Sequence, residues 1–422
     1  MALDGTTPPD PPHQPRRTVH VGVLCLLMAL PFIQYQTELL PDLPLNGAEQ
    51  PPKTPSLTVN TWLDGSFANA VEPYLGAHIG FRGVFIRVAN QVGYSVFGSL
   101  IGYQGPSVVL GKEGWLYEKH YVETYTQRGA HTDEAGRQAL VAELVAFQQE
   151  LQRHGIAFAL VISPSKAEIV PQYLPDHLQA RRAANPQPTT YELIVPELQR
   201  AGVRTIDGHA LFVELRDKEP YLFPPGGTHW TYYGSLLFCL HLFEELSSVM
   251  PGRIALPEPQ GVVWRKAMGT DGDLEQFINM FWFPSMDARL PYLRLKARPR
   301  PAEQRLSILM LGDSFAFTMV DMIGLMRVAR DLDLLYYFRR HVHYPTPVLD
   351  SGGLLPHRSL SVPMDRSRVD WDRLLFHKDL VLLEINEVAI DVLAKEGAGW
   401  SFVRAALPEL RARSPRGEKP SP

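Results

Sequence analysis

The stretch Leu306-Ser-Ile-Leu-Met-Leu-Gly-Asp-Ser-Phe-Ala316 constrains the chain more than any other. From Leu306 to Leu311 it is almost wholly apolar and too brief for a helix, so it predicts a buried strand. Gly312 permits a tight turn. Phe315, Met319, Met322, Ile323 and Met326 then recur at helical spacing, predicting a helix over 315–330. Ser314 therefore falls where a strand end meets a helix N-terminus, among free backbone N–H groups and the positive end of the helix dipole. That place suits a nucleophilic hydroxyl and its oxyanion. It suits an N-cap equally well, and capping is the commonest job of an Asp313 or Ser314 there. A second stretch, Gly226-Gly-Thr-His-Trp-Thr-Tyr-Tyr-Gly234, carries His229 on a loop into another helix.

Around these two stretches, strand and helix patterns alternate, which predicts an α/β fold with a mainly parallel sheet. Strands are expected at 156–162, 203–206, 332–338 and 380–385, and helices at 133–154, 191–200 and 231–249. The strand at 203–206 ends in Asp207, which could cap a helix over 208–216. Residues 108–117 read as a hairpin or turn packing an aromatic pair. Residues 251–300, rich in proline and carrying Phe281, Trp282 and Phe283, read as an irregular insertion or cover. The segment 341–370 reads as a long loop suited to a substrate cleft.

The N-terminus has a different character. Residues 1–17 are polar and Pro-rich and end in Arg16-Arg17; an almost unbroken apolar run to Ile33 follows. The reading is a cytoplasmic tail (1–17), an uncleaved transmembrane signal anchor (18–34) and a Pro-rich linker (35–58). A helical segment (59–105), the main domain (106–413) and a polar tail (414–422) complete the organisation. A net charge of −4 and a pI near 6.4 argue against a general nucleic-acid binder. Cys25 and Cys239 make no disulfide framework.

Several blocks in order carry a resemblance: Trp62-x-x-Gly65, Glu72-x-Tyr74, Phe81-Arg82, Gly111-Lys-Glu-Gly-Trp-Leu-Tyr117, Ser163-Pro-Ser-Lys166, Thr228-His229-Trp230, Gly272-Asp273-Leu274, Gly312-Asp-Ser-Phe315 and Glu384-x-Asn386-Glu387. Together they resemble the alginate O-acetyltransferase family, SGNH-hydrolase-type proteins of exopolysaccharide acetylation. The resemblance implies a three-layer, flavodoxin-like α/β domain, circularly permuted so that His229 precedes Ser314. It implies that Ser314 accepts acetyl, that His229 takes its proton, and that a sugar hydroxyl resolves the acetyl-serine. The Ser314 N–H and the Asn386 side chain would serve the oxyanion. The implied setting is periplasmic, on the inner membrane, with an exported polysaccharide as substrate and a membrane-bound O-acyltransferase as acetyl supplier. No cofactor is implied.

One departure matters. The family pattern is Asp-x-His-Trp, and Gly227 stands where the aspartate belongs. Asp207 could orient His229 instead, a Ser–His dyad could suffice, or catalysis could be lost and only glycan binding kept. On the dyad reading, Gly227→Asp is expected to raise acetyl transfer. An esterase passing acetyl to water would use the same two residues. Asn386 has an alternative role as a strand-end cap, and Trp230, Phe281 and Trp282 could stack on sugars or simply pack. His341-x-His343 alternates like metal ligands, but no third ligand cluster accompanies it, so no metal site is expected.

Overall fold

The structure, a computed structural model, describes residues 15–47, 52–99, 108–296, 298, 300–348, 355, 357, 360–390 and 398–414. The expected tails before 15 and after 414 lie outside these residues. Two units are distinguished: residues 1–105 with 277–281, and residues 106–276 with 282–422.

The first unit is helical: α1 (Pro15–Thr37), α2 (Val59–Leu63), α3 (Ser66–His78) and α4 (Arg82–Phe97). Within α1, Val19–Thr37 has a mean hydropathy of 1.5 over its most apolar window and is long enough to cross a membrane. Its apolar side chains stand exposed, which fits an anchor.

In the second unit a short antiparallel pair comes first, β1 (Val108–Leu110) and β2 (Leu116–Glu118), followed by α5 (Lys119–Thr126) and α6 (Glu134–Arg153). Then come β3 (Ala157–Ser163), α7 (Lys166–Ile169), α8 (Asp176–Ala183), α9 (Thr190–Arg200), β4 (Thr205–Asp207), α10 (Gly208–Leu215) and α11 (Tyr232–Ser247). A hairpin of β5 (Glu258–Lys266) and β6 (Arg289–Lys296) precedes β7 (Leu306–Gly312) and α12 (Phe315–Met326). The chain continues through β8 (Ala329–Tyr336), β9 (Arg340–Tyr344), β10 (Val362–Pro363), β11 (Leu380–Asn386) and α13 (Ala398–Ala412).

Seven strands form one sheet in the order β10-β9-β8-β7-β11-β3-β4. It is parallel from β8 to β4 and antiparallel at β9 and β10, so the sheet is mixed. Strands β7, β11 and β3 are largely apolar on both faces, the mark of a sheet covered by helices on each side. Along β7, Ile308 and Met310 face a core with α11 and α12, while Leu309 and Leu311 face α6, α9 and α13. β3 and β11 alternate in the same way, Val161 and Leu382 against Leu160 and Leu383. This is the expected three-layer α/β architecture, and it sets β7, β11 and β3 side by side, pointing the same way.

Three expectations are corrected here. Residues 251–300 are not irregular, because the β5–β6 hairpin runs through them with a bulge between Pro259 and Gly261. The helix after Ser314 stops at Met326, where Arg327 turns left-handed (φ 57°), and β8 begins only two residues later. The start of the expected loop at 341–370 is also strand, β9 pairing with β8.

Phe147 of α6 packs edge-on to Phe158 of β3 and Phe402 of α13, with centroids 5.4 and 6.1 Å away, and is fully buried. Phe147→Ala should cost about 3–5 kcal/mol of stability, seen as a lower urea midpoint by circular dichroism.

Candidate functional site

The parallel strands deliver β7, β11, β3 and β4 to one carboxyl-end edge, where open α/β sheets place their ligands. At the end of β7, Gly312 leaves no room for a side chain: a Cβ would lie 2.6 Å from both the Ala316 Cβ and Glu384 Oε2. Asp313 caps α12, its Oδ1 accepting from the Phe315 N–H at 2.8 Å. Its Oδ2 accepts from the Asn386 N–H at 3.1 Å, tying the turn to the end of β11. Below it, Glu384 accepts from the Asp313 N–H at 2.9 Å and from Ser163 Oγ at 2.6 Å. Burial, reinforced by the Asp313 charge, pushes the Glu384 pKa well above the carboxylate range and favours its neutral form. Ser314 occupies the N-cap position, yet its side chain caps nothing and is partly exposed.

His229 is set on the loop before α11, its ring 4.7 Å from that of Phe315, the neighbour of Ser314. His229 Nδ1 lies 2.5 Å from Asp273 Oδ2, and the Thr228 N–H donates to Asp273 Oδ1 at 2.8 Å. One carboxylate thus fixes both the ring and the backbone that carries it. Nδ1 donating to Asp273 leaves the lone pair on Nε2, which is buried and has no hydrogen-bond partner among the described residues. Burial pulls the His229 pKa down, but the Asp273 hydrogen bond and charge outweigh it and leave the pKa raised above 6.5. Such a group can take a proton from a hydroxyl beside it and return it to a leaving group.

The loop itself is held from beneath by Lys166, the first residue of α7. Its buried ammonium donates to the carbonyls of Leu116 (2.7 Å), Pro224 (2.6 Å), Pro225 (3.1 Å) and Gly227 (2.7 Å). It also lies over the rings of Trp115 and Tyr117, 4.9 and 5.0 Å from their centroids.

Four expectations are corrected. Asp207 does not orient His229: its Oδ1 caps α10 by accepting from the Ala210 N–H at 3.1 Å, and its Oδ2 accepts from the Tyr191 hydroxyl at 2.9 Å. Gly227 is not an impaired aspartate position. A Cβ there would lie 2.4 Å from the Thr270 carbonyl oxygen, because the turn that brings in Asp273 presses on it. Asn386 is no oxyanion donor. Its amide donates to the Pro164 carbonyl (3.1 Å) and Ser163 Oγ (3.3 Å), its oxygen accepts from the Val388 N–H, and it is fully buried. Trp230 does not face a ligand. It is fully buried between Phe238 and Phe315, with its indole donating to Thr318 Oγ1. His341 and His343 both engage Asp333 Oδ1, at 2.6 and 2.9 Å.

Asp273 and Lys166 hold His229 and its loop, and the sequence alone assigned neither that role. Both stand in blocks that carried the family resemblance, so the signal was present without a role attached. Glu118 and Tyr121 join them beside the histidine and the β7 turn. Burial raises the pKa of each, against His229 at Glu118 and with Asp313 adding at Tyr121.

A three-layer α/β domain with a serine turn at the end of its central strand is an SGNH-hydrolase-like domain. The protein-family model described as "SGNH hydrolase-like domain, acetyltransferase AlgX" matches residues 108–323 of the 422, and the chain belongs to that family. Among curated proteins it is similar to the "Probable alginate O-acetylase AlgJ" of Pseudomonas aeruginosa, 24% identical over 44% of this chain and 43% of that one. The protein of the same name from Pseudomonas putida is 26% identical over 44% and 45%. The chain thus aligns with less than half the length of these relatives. Among solved structures it is similar to the O-acetyltransferase domain of Pseudomonas putida AlgJ, with 20% identity, 73% of this chain and 100% of that one covered, and a TM-score of 0.40. Pseudomonas aeruginosa AlgX matches at 19% identity over 74% and 68%, with a TM-score of 0.42.

Removing the Asp273 charge should leave burial as the dominant influence on His229. With His229 acting as a general base, activity on an acetyl ester would require its neutral imidazole, so the wild-type rate should rise with pH through a pKa above 6.5. In Asp273→Asn that limb should move to lower pH and the plateau should fall by about 10⁴-fold, as it does when a Ser–His–Asp triad loses its carboxylate. Gly227→Asp should lower activity, because the new side chain displaces the 270–273 turn; the same assay reads both.

Proposed function

We propose that this chain transfers acetyl to a hydroxyl of an exported polysaccharide through an acetyl-Ser314 intermediate. The observations that support the reading are a carboxylate-held His229, whose Nε2 has no hydrogen-bond partner among the described residues and whose ring lies 4.7 Å from that of Phe315, and the strand-end Ser314, next to Phe315 in the chain, whose hydroxyl is not used as a cap. In the first half-reaction His229 Nε2 takes the Ser314 Oγ proton while Oγ attacks the acetyl carbonyl. The imidazolium, paired with Asp273, returns that proton to the departing group. In the second half a sugar hydroxyl gives its proton to His229 and attacks the acetyl carbon, and Ser314 leaves reprotonated. The Ser314 N–H, at the start of α12, serves the developing oxyanion. Asp273 fills the part of the aspartate absent at 227, which favours the catalytic reading over an inactive scaffold.

The names of the AlgJ relatives support polysaccharide acetylation as the general activity. In this proposal α1 anchors the chain in the inner membrane with the second unit in the periplasm. A membrane-bound O-acyltransferase supplies acetyl, and neither nucleic acid nor a cofactor takes part.

The test uses the purified full-length chain with an activated acetyl ester and an oligosaccharide acceptor. The wild type should yield acetylated oligosaccharide and an acetyl adduct on the Ser314 peptide by mass spectrometry. Ser314→Ala should lose both while keeping its circular dichroism spectrum, since one cleft hydroxyl adds little stability. Undiminished transfer by a folded Ser314→Ala protein would overturn the proposal. Release of acetate in place of transfer at saturating acceptor would make the chain an esterase.

A further inference from the structure

Helix α4 is built inside out. Its inward side carries Gly83, Asn90 and Gly93, all buried, with Asn90 Nδ2 donating to the Ile278 carbonyl at 2.9 Å. Its outward side carries Phe85, Val88, Val92 and Val96, which are 46–66% exposed. Steps of three, four and four residues place these four on a single stripe. A surface helix in water turns such a stripe to the core. Small and hydrogen-bonded polar residues inward, with apolar ones outward, are the arrangement that lipid rewards.

The neighbouring α1 says which apolar phase is at hand. The α3–α4 junction rests on the last turns of α1. A Cβ on Gly80 would lie 2.4 Å from the Pro31 carbonyl oxygen and 2.8 Å from Gln34 Cβ, and the His78 ring meets Tyr35 edge-on at 6.4 Å. Further back along α1, Val19, Val23, Leu26 and Met28 remain 52–67% exposed, so α4 does not run alongside it. It leaves α1 at the end remote from Arg16 and Arg17. Arg87 is turned away from the stripe, donating to the Gly83 carbonyl at 3.1 Å and the Pro44 carbonyl at 2.7 Å.

We propose that α4 is an interfacial helix. Its Phe85–Val88–Val92–Val96 stripe enters the boundary layer of the bilayer that α1 spans, on the face away from Arg16 and Arg17. The partner is a lipid surface, and the chain is held to it by two elements instead of one. This rests on reading α1 as a membrane span.

The experiment places nitroxide labels on the full-length chain in vesicles of phosphatidylcholine and phosphatidylglycerol. Single labels go on Val88→Cys, Val92→Cys, Met28→Cys and, as a reference in water, Glu134→Cys. Each variant also carries Cys25→Ser; Cys239 is fully buried and stays. Collision with oxygen reports lipid, and collision with a neutral nickel chelate reports water. At 88 and 92 the oxygen-to-nickel ratio should be several-fold that at 134. A ratio equal to that at 134 would overturn the proposal. Labels immobilised and closed to both reagents would overturn it too, because a protein surface would then cover the stripe. The label at 28 separates the two layers of the argument. If it reports lipid while 88 and 92 report water, α1 spans and only α4 is misassigned; if 28 reports water, the anchor reading itself falls.

Discussion

The peptide unit joining Gly227 to Thr228 is gripped from both ends, and the position of His229 follows from that grip. Its carbonyl accepts from Lys166 and its N–H donates to Asp273, whose second oxygen holds the imidazole. Burial pulls the Lys166 pKa well below the ordinary lysine range, and the Asp273 and Glu275 charges only partly oppose it. A buried ion costs several kcal/mol, while a hydrogen bond to a charged group contributes about 1.5–3 kcal/mol net. The convergence of the Leu116, Pro224, Pro225 and Gly227 carbonyls upon the Lys166 amino group favours its charged form against that burial. The same convergence binds β2, the end of β3 and the histidine loop into one frame. Gly226 and Gly227 belong to that frame as well: a Cβ on Gly226 would meet Glu275, as one on Gly227 would meet Thr270.

A comparable division of labour surrounds Ser314. A helix N-terminus needs an acceptor for its unpaired N–H groups, and a serine at the N-cap would ordinarily supply it. Here Asp313 takes that task, so capping does not consume the hydroxyl of Ser314. Two carboxyls are then buried within one turn of β7, and both cannot ionise cheaply. Burial raises each pKa, but backbone N–H groups of Phe315 and Asn386 favour the ionised form of Asp313, whereas the Asp313 charge favours neutral Glu384. The Asn386 side chain is consumed in bracing the same corner through Pro164 and Ser163.

The parts of this arrangement that lie close in sequence were the parts legible there. Strand β7, Gly312 and α12 follow from an apolar run, a turn residue and a helical period, none needing a distant partner. Asp207 as a cap of α10 was legible for the same reason. Asp273 lies 44 residues from His229, and no local period connects them; only the packing of the 270–273 turn against Gly227 does. Trp230 sits beside a polar loop, but its environment is set by Thr318, 88 residues away. The β5–β6 hairpin escaped notice because its strands carry Pro259 and Pro291 among charged residues, and their pairing spans the intervening turns. Asn386 was misjudged because its strand-end address is right for an oxyanion donor, while its rotamer answers to Ser163 and Pro164.

Helices α1, α4 and α12 show that apolar content acquires meaning only with length and burial. α12 is as oily as any span, yet at twelve residues it is about 18 Å long, short of the roughly 30 Å of bilayer hydrocarbon. Its side chains are nearly all buried, and its one acid, Asp321, is matched by the Leu355 N–H at 2.8 Å and His357 Nε2 at 3.1 Å. The solvent of α12 is protein. α1 has twenty-three residues, about 34 Å, and most of its apolar side chains are exposed among the described residues. α4 falls between: too short to span, and with the polar residue it buries, Asn90, matched inward while its valines face out. In protein the burial of Asn90 would ordinarily accompany burial of the larger apolar side chains, which gain more by leaving water. That the helix buries glycine and asparagine and leaves Phe85, Val88, Val92 and Val96 outside fits the lipid contact proposed for it.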